Sequence, residues 1–180
     1  MITSERIRLR AIEREDIPRM VEWLNDPEVT AGIRRILPMA SWQEAHWFDG
    51  LTNCPEEERQ LALEARLPDG GWEHIGNVGL HQIEAVNRCA EFGIMIGNKA
   101  FWNHGYGRQA TLFMLKHGFE TLNLNRIYLY VYENNPRAIH VYEKCGYIHE
   151  GRLRQSTYRN GHYIDNLLMS VLRSEWDAQK

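Results

Sequence analysis

Apolar and charged side chains alternate from Ile7 to Arg10, as along a half-buried strand, and behind Glu15-Asp16 the apolar positions Ile17, Met20, Val21 and Leu24 recur at helical spacing. This predicts a strand followed by an amphipathic helix. From Asn25-Asp26-Pro27 to Gly50 the pattern loses its period and carries Trp42, Trp47 and Phe48. Short helices and a loop are expected there, with the aromatic rings packed into the core. Residues 61–67 and 75–83 read as two strands joined by the turn Pro68-Asp69-Gly70-Gly71, and 89–96 as a third.

Leu112, Leu115, Phe119 and Leu122 return to helical spacing within Gly105 to Leu122, so a helix opens directly behind a glycine-containing loop. Arg126 to Tyr132 is strongly β-favouring. Asn135-Pro136 then supplies a helix cap and a first-turn proline, and Gly146 a stop, bracketing a short helix. Residues 147–172 hold two apolar stretches around Arg159-Asn160-Gly161-His162, where Asn-Gly marks a hairpin turn. No repeat or linker interrupts this order, and 180 residues suit a single domain, 1–180. The predicted class is α+β, mostly antiparallel strands with two helices inserted late.

Composition changes this picture little. A hydrophobic fraction of 43% with 25% charged residues is that of a globular chain, not a disordered one. A net charge of −3 provides no global field for nucleic acid or anionic membrane, so any anionic ligand must be bound locally. No apolar run nears the ~18 residues of a membrane span, and residues 1–6 lack the layout of a signal peptide, so a cytoplasmic protein is expected. Cys54, Cys89 and Cys145 stand at no metal or redox spacing, and His46, His140 and His149 form no H-x-x-x-H pair. No metal is expected.

Candidate chemistry gathers in two runs. In Trp102-Asn103-His104-Gly105-Tyr106-Gly107-Arg108 the close glycines allow backbone N–H groups to approach phosphate, and the following helix presents its positive dipole end. A pyrophosphate suits this place. Residues 105–110 also satisfy the G-x-G-x-x-A dinucleotide fingerprint, with Glu133 as a ribose-binding candidate. Against it, Asn98 to His104 separate strand from loop, and β-α-β alternation is missing upstream. The second run is Asn135-Pro136-Arg137-Ala138-Ile139-His140-Val141-Tyr142-Glu143-Lys144-Cys145-Gly146-Tyr147.

Together these runs resemble the GNAT superfamily of N-acetyltransferases, which shows Q/R-x-x-G-x-G/A and then N-x-x-A/S-x-x-x-Y-E-K-x-G-F in this order. Thr3-Ser4-Glu5-Arg6-Ile7-Arg8-Leu9-Arg10 with Glu15-Asp16, and the tail from Gly151 to Trp176, look like its ribosomal-protein N-terminal acetyltransferase-like branch. Trp102 stands where the superfamily at large has Gln or Arg, and Tyr147 where it usually has Phe. The resemblance implies the GNAT fold, a central mixed, mainly antiparallel sheet flanked by helices, and acetyl-CoA as co-substrate. It assigns cofactor binding to Trp102, Asn103, His104, Gly105, Tyr106, Gly107 and Arg108, and from the second run to Asn135, Ala138, Tyr142 and Lys144.

Acetyl transfer by direct amine attack through a tetrahedral intermediate needs a polarised carbonyl, an unprotonated amine and a proton for the thiolate. The resemblance implies the backbone N–H groups of Ile94, Met95 and Ile96 for the first, where neighbouring strands splay. Tyr142 is the implied acid, its phenol protonated at neutral pH with a reference pKa of about 10. Glu91 is the candidate base, with His81 and His46 as alternatives. The expected acceptor is a protein N-terminal α-amine, or else a polyamine or other small-molecule amine, in a pocket shaped by residues 26–50 and the hairpin near Asn160. A homodimer is compatible with the resemblance. The rival of another class is a non-catalytic acyl-CoA-binding sensor.

Overall fold

The computed structural model describes residues 2–178. Two strands, β1 (Ile2–Thr3) and β2 (Ile7–Ala11), lead into a 3₁₀ turn and α1 (Ile17–Asn25). Pro18 sits in the first turn of α1, and Ile17, Met20 and Trp23 bury one stripe of it. The aperiodic stretch holds α2 (Pro27–Thr30), capped by the Asp26 carboxylate on the N–H groups of Glu28 and Val29, and α3 (Ser41–Gly50). Here the expectation of buried aromatics holds for Trp47 and Phe48, which pack on the core, but not for Trp42, which is 71% exposed. Trp42 lies at the second position of α3, five residues from Trp47, and falls outside its buried stripe.

Strands β3 (Leu61–Arg66), β4 (Trp72–Glu84) and β5 (Cys89–Ile96) follow as antiparallel neighbours, then α4 (Tyr106–Lys116) running into a π-helical turn, β6 (Arg126–Tyr132) and α5 (Pro136–Lys144). The chain closes with β7 (Ile148–Arg159), β8 (His162–Leu172) and α6 (Arg173–Ala178). Among the described residues the strands form one sheet in the order β1-β2-β3-β4-β5-β6-β8-β7, antiparallel throughout except for β5 with β6. The mixed, mainly antiparallel architecture is therefore the observed one. Residues 160–161 both have positive φ, the geometry of the two-residue turn that Asn-Gly prefers.

Apolar residues line both faces of the sheet. On one face Ile7, Leu9, Leu80, Ile127, Leu129 and Met169 pack with Leu115 and Phe119 of the α4 segment, all nearly sealed from solvent. On the other, Ile12, Met20, Trp23 and Val29 pack with Ala62. Each such side chain stabilises by roughly 1.5–3 kcal/mol on burial, which is why the periodic segments were readable. Charged groups of the first strands on the second face are paired: Arg10 reaches Asp16 (2.7 and 2.8 Å) and Glu64 (2.9 Å), and Arg8 also meets Glu64. All three cysteines are free thiols, Cys145 buried. No helix among the described residues is long and apolar enough to cross a membrane.

Candidate active site

The site begins where the sheet opens. Parallel pairing of β5 with β6 covers only Cys89–Glu91 against Arg126–Tyr128, after which the strands part. Beyond Glu91, β5 therefore has a partner on one side only, β4. Gly97 N–H donates to Ile75 O of β4 at 2.9 Å. Since backbone groups alternate sides along a strand, Met95 also turns to β4 while Ile94 and Ile96 face the opening. Consistently, the Ile96 carbonyl accepts the Trp102 indole N–H at 2.8 Å. The β4 approach is close: a Cβ added at Gly76 would lie 2.1 Å from Met95 O and 2.8 Å from Ile96 Cα. Only glycine fits there.

The opening is closed at one end by the glycine loop. Gly105 takes φ +83° to turn the chain into α4, and Asn103 is also left-handed. Arg6 fixes the turn from outside, donating to His104 O at 3.0 Å and lying over the Tyr106 ring. The first N–H groups of α4, at Tyr106, Gly107 and Arg108, have no intrahelical acceptor, as at any helix start. A Cβ at Gly107 would meet only Ile96 Cδ1, at 3.5 Å, an ordinary contact. Neither φ nor protein packing demands glycine at 107, which leaves open space over the loop on the cleft side. A phosphate group fits this cradle of N–H donors with cationic side chains beside it.

Helix α5 forms the facing wall. Asn135 Oδ1 caps it by accepting from Ala138 N–H at 3.2 Å. Tyr142 packs edge-on to Phe92, ring centroids 6.2 Å apart, and among the described residues its hydroxyl has no hydrogen-bond partner. Burial, with a smaller contribution from Cys145, holds this phenol well above its usual pKa, so it keeps its proton at neutral pH. Tyr147 packs beside it at 5.7 Å, and its buried hydroxyl also lacks a partner.

One cleft thus brings together Ile94, Met95, Ile96, Trp102, Asn103, Gly105, Tyr106, Gly107, Arg108, Asn135, Ala138 and Tyr142. His104 and Lys144 lie outside its lining, His104 contributing a carbonyl to the Arg6 contact and Lys144 exposed at the end of α5. Other cleft residues were not singled out in sequence. Arg137 stacks over Trp102 at 4.1 Å, and its first-turn place in α5 was the available signal. Glu28 and residues 31–33 come from the aperiodic stretch, where no period points. Glu133, the ribose candidate, is taken by Arg152 (2.7 Å) and Asp165 N–H (3.0 Å), and the single parallel strand pair is not a dinucleotide fold.

A second cavity, of about 380 Å³, lies beside the cleft and shares Ile33, Ile94 and Met95 with it. Its other walls include Met20, Trp47, His81, Arg35 and Glu44. Glu44 is 4% exposed and its carboxylate has no hydrogen bond or ion pair among the described residues. Burial raises its pKa, with Arg35 acting in the opposite direction. Burial likewise lowers that of His81, against the opposing charges of Glu91 and Glu58. Glu91 lines neither cavity and stands directly across the strand pair from His81. His46 lines neither. No group of three or more His, Cys, Asp or Glu side chains among the described residues is placed to hold a metal.

Known proteins match this arrangement over nearly the whole chain. Residues 6–148 match the acetyltransferase (GNAT) domain family. The chain is 32% identical over 173 residues to a spermidine N(1)-acetyltransferase of Vibrio cholerae, covering 96% of each. It is 30% identical over 181 residues to the putative ribosomal N-acetyltransferase YdaF of Bacillus subtilis, covering 98% of this chain and 97% of that one. The crystal structure of the Vibrio cholerae spermidine N-acetyltransferase with CoA and spermine superposes with TM-score 0.83 at 31% identity, covering 96% of this chain and 99% of that one.

Proposed function

The chain belongs to the GNAT family and is an acetyl-CoA-dependent N-acetyltransferase, and from that premise we propose that its acceptor is a small primary amine of the polyamine class, bound in the cavity walled by Glu44. The observation that carries this reading is the buried, unpaired Glu44 carboxylate in a cavity that meets the cleft at Ile33, Ile94 and Met95. A buried carboxylate with no hydrogen bond or close ion pair, and only the Arg35 charge near it, is unfavourable, and an ammonium group would supply a direct partner. Relatives described as spermidine acetyltransferases support the same class.

Within this reading the chain acts as one domain. The loop from Trp102 to Arg108 and Arg137 hold the diphosphate of acetyl-CoA, which supplies the activated acyl group. The N–H groups of Ile94 and Ile96 donate to the carbonyl oxygen as negative charge grows on it. Tyr142 Oη gives its proton to the departing sulfur. His81, held neutral by burial on the acceptor wall, accepts the proton of the amine, and Glu91 opposite it favours the imidazolium that results. The base role thereby passes from Glu91 to His81, with Glu91 as its electrostatic support. Self-association belongs to the proposal too, as the Vibrio cholerae relative is described as dodecameric.

A protein N-terminal α-amine, the acceptor of the ribosomal branch, is the second reading. Arg35 favours it, because a guanidinium on the cavity wall repels a chain bearing several ammonium groups. The test is thiol release from acetyl-CoA with spermidine, spermine, a monoamine and an N-terminal peptide, followed by mass spectrometry of the product. Turnover of spermidine well above the peptide is expected. Preference for the peptide overturns the polyamine class, and silence with every amine overturns the proposed site.

A further inference from the structure

The segment from Thr30 to Arg35 walls both cavities, contributing Ala31, Gly32 and Ile33 to the cleft and Ile33 and Arg35 to the acceptor side. It lies between α2 and α3, with few internal bonds of its own. What holds it is distant in sequence. Arg159, the last residue of β7, reaches it with both terminal nitrogens: Nη1 donates to Ala31 O and Ile33 O, each at 2.9 Å, and Nη2 to Thr30 O at 2.7 Å and Arg35 O at 2.9 Å. All four terminal N–H groups of the guanidinium are used on four carbonyls of a six-residue segment. The tight turn at Asn160-Gly161 aims the side chain by fixing where β7 ends.

We propose that Arg159 is the positioning residue of the acceptor side, clamping residues 30–35 so that Ile33 stands at the junction with the cleft and Arg35 on the acceptor wall. A planar fork with four donors in fixed directions suits a ring of carbonyls in a way that a single ammonium does not. The base of the segment is tied separately, by Asn25 donating to Met39 O at 2.8 Å and accepting Met39 N–H at 2.7 Å. Loss of Arg159 therefore frees the wall while the flanking helices stay in place. The diphosphate loop leads into α4 and makes no hydrogen bond with Arg159, so the clamp reaches the cleft only through the wall of residues 31–33 and leaves the loop itself in place. The inference rests on the acceptor cavity proposed above.

The test uses Arg159→Ala and Arg159→Lys in the full chain, with spermidine as the probe amine and CoA affinity measured by titration calorimetry. Arg159→Ala is expected to raise the KM for spermidine by about tenfold or more, with CoA affinity changed less than about threefold. Arg159→Lys is expected to fall between, and added guanidinium to restore part of the loss in Arg159→Ala. Hydrogen exchange of amides 31–36 reads the clamp without any acceptor, and about tenfold faster exchange at unchanged melting temperature is expected. Unchanged exchange, an unchanged KM, or a parallel fall in CoA affinity overturns the proposal. If wild-type protein acetylates no amine while exchange responds as expected, the acceptor reading fails and the clamp stands.

Discussion

Replacing Gly76 with alanine forces apart the two strands that carry the acyl end of the site. A Cβ there would stand 2.1 Å from Met95 O and 2.8 Å from Ile96 Cα, both backbone atoms of β5 that cannot rotate away. An ordinary carbon–oxygen contact is ~3.3 Å, so relief requires β4 and β5 to separate by roughly 1 Å. Overpacking of this kind costs about 3 kcal/mol, which in a chain of this size lowers the melting temperature by roughly 6–12 °C. The same displacement moves the Ile94 and Ile96 N–H groups, and a 1 Å error at a reacting centre can reduce turnover by about 10²-fold. Gly107→Ala is the control. Its Cβ meets the protein only at 3.5 Å, so the melting temperature should hold while CoA affinity falls. Scanning calorimetry and CoA titration separate the two. A Gly76→Ala protein melting within about 1 °C of wild type would refute the close-approach argument, and full CoA affinity in Gly107→Ala would remove the loop as the diphosphate site.

Tyr142→Phe should lower kcat by about 10²-fold in steady-state assays while CoA affinity barely moves, and an unchanged rate removes it from the proton transfer. Glu44→Gln should raise the KM for spermidine and also stabilise the fold at neutral pH. The sign follows from a folded-state pKa raised by burial, because stability present below the unfolded value of 4.5 is lost as the carboxyl ionises. Urea melts at pH 5 and 7 check this, and Glu44→Gln should remove that part of the decline. Acidification should weaken the fold through three other groups. His74 is held below its usual 6.5 by burial, so the unfolded chain takes up the proton first and stability begins to fall below about that pH. Asp16 and Glu64, lowered by their bonds to Arg10 and Arg8 against the opposing effect of burial, add a steeper loss below 3.8 and 4.5. Asp16→Asn should flatten the acid limb in urea titrations, and an unaltered limb would deny the pair its role.

What the sequence determined by itself was the elements with a clear period and a few local bonds. Strand 89–96, strand 126–132, the Asn135 cap and the Asn160-Gly161 turn follow from alternation, a side-chain acceptor three residues from its donor, or a backbone angle few residues adopt. The donor half of the site was legible for the same reason, since the glycine loop and the α5 residues lie in two short contiguous runs. Only the tertiary structure brings together the residues of the proposed acceptor half. Glu44 is an ordinary helix carboxylate in sequence, and it becomes unusual because α3 holds it at 4% exposure in the wall of a cavity it shares with Arg35 and with residues of β4 and β5. Glu91 was chosen from its place on a strand, and only the structure shows that His81, directly across the strand pair from it, lines the second cavity. Arg159 carries no local signal at all, its four acceptors lying 124–129 residues away. Burial and long-range register belong to the packed chain, and no window of sequence contains them.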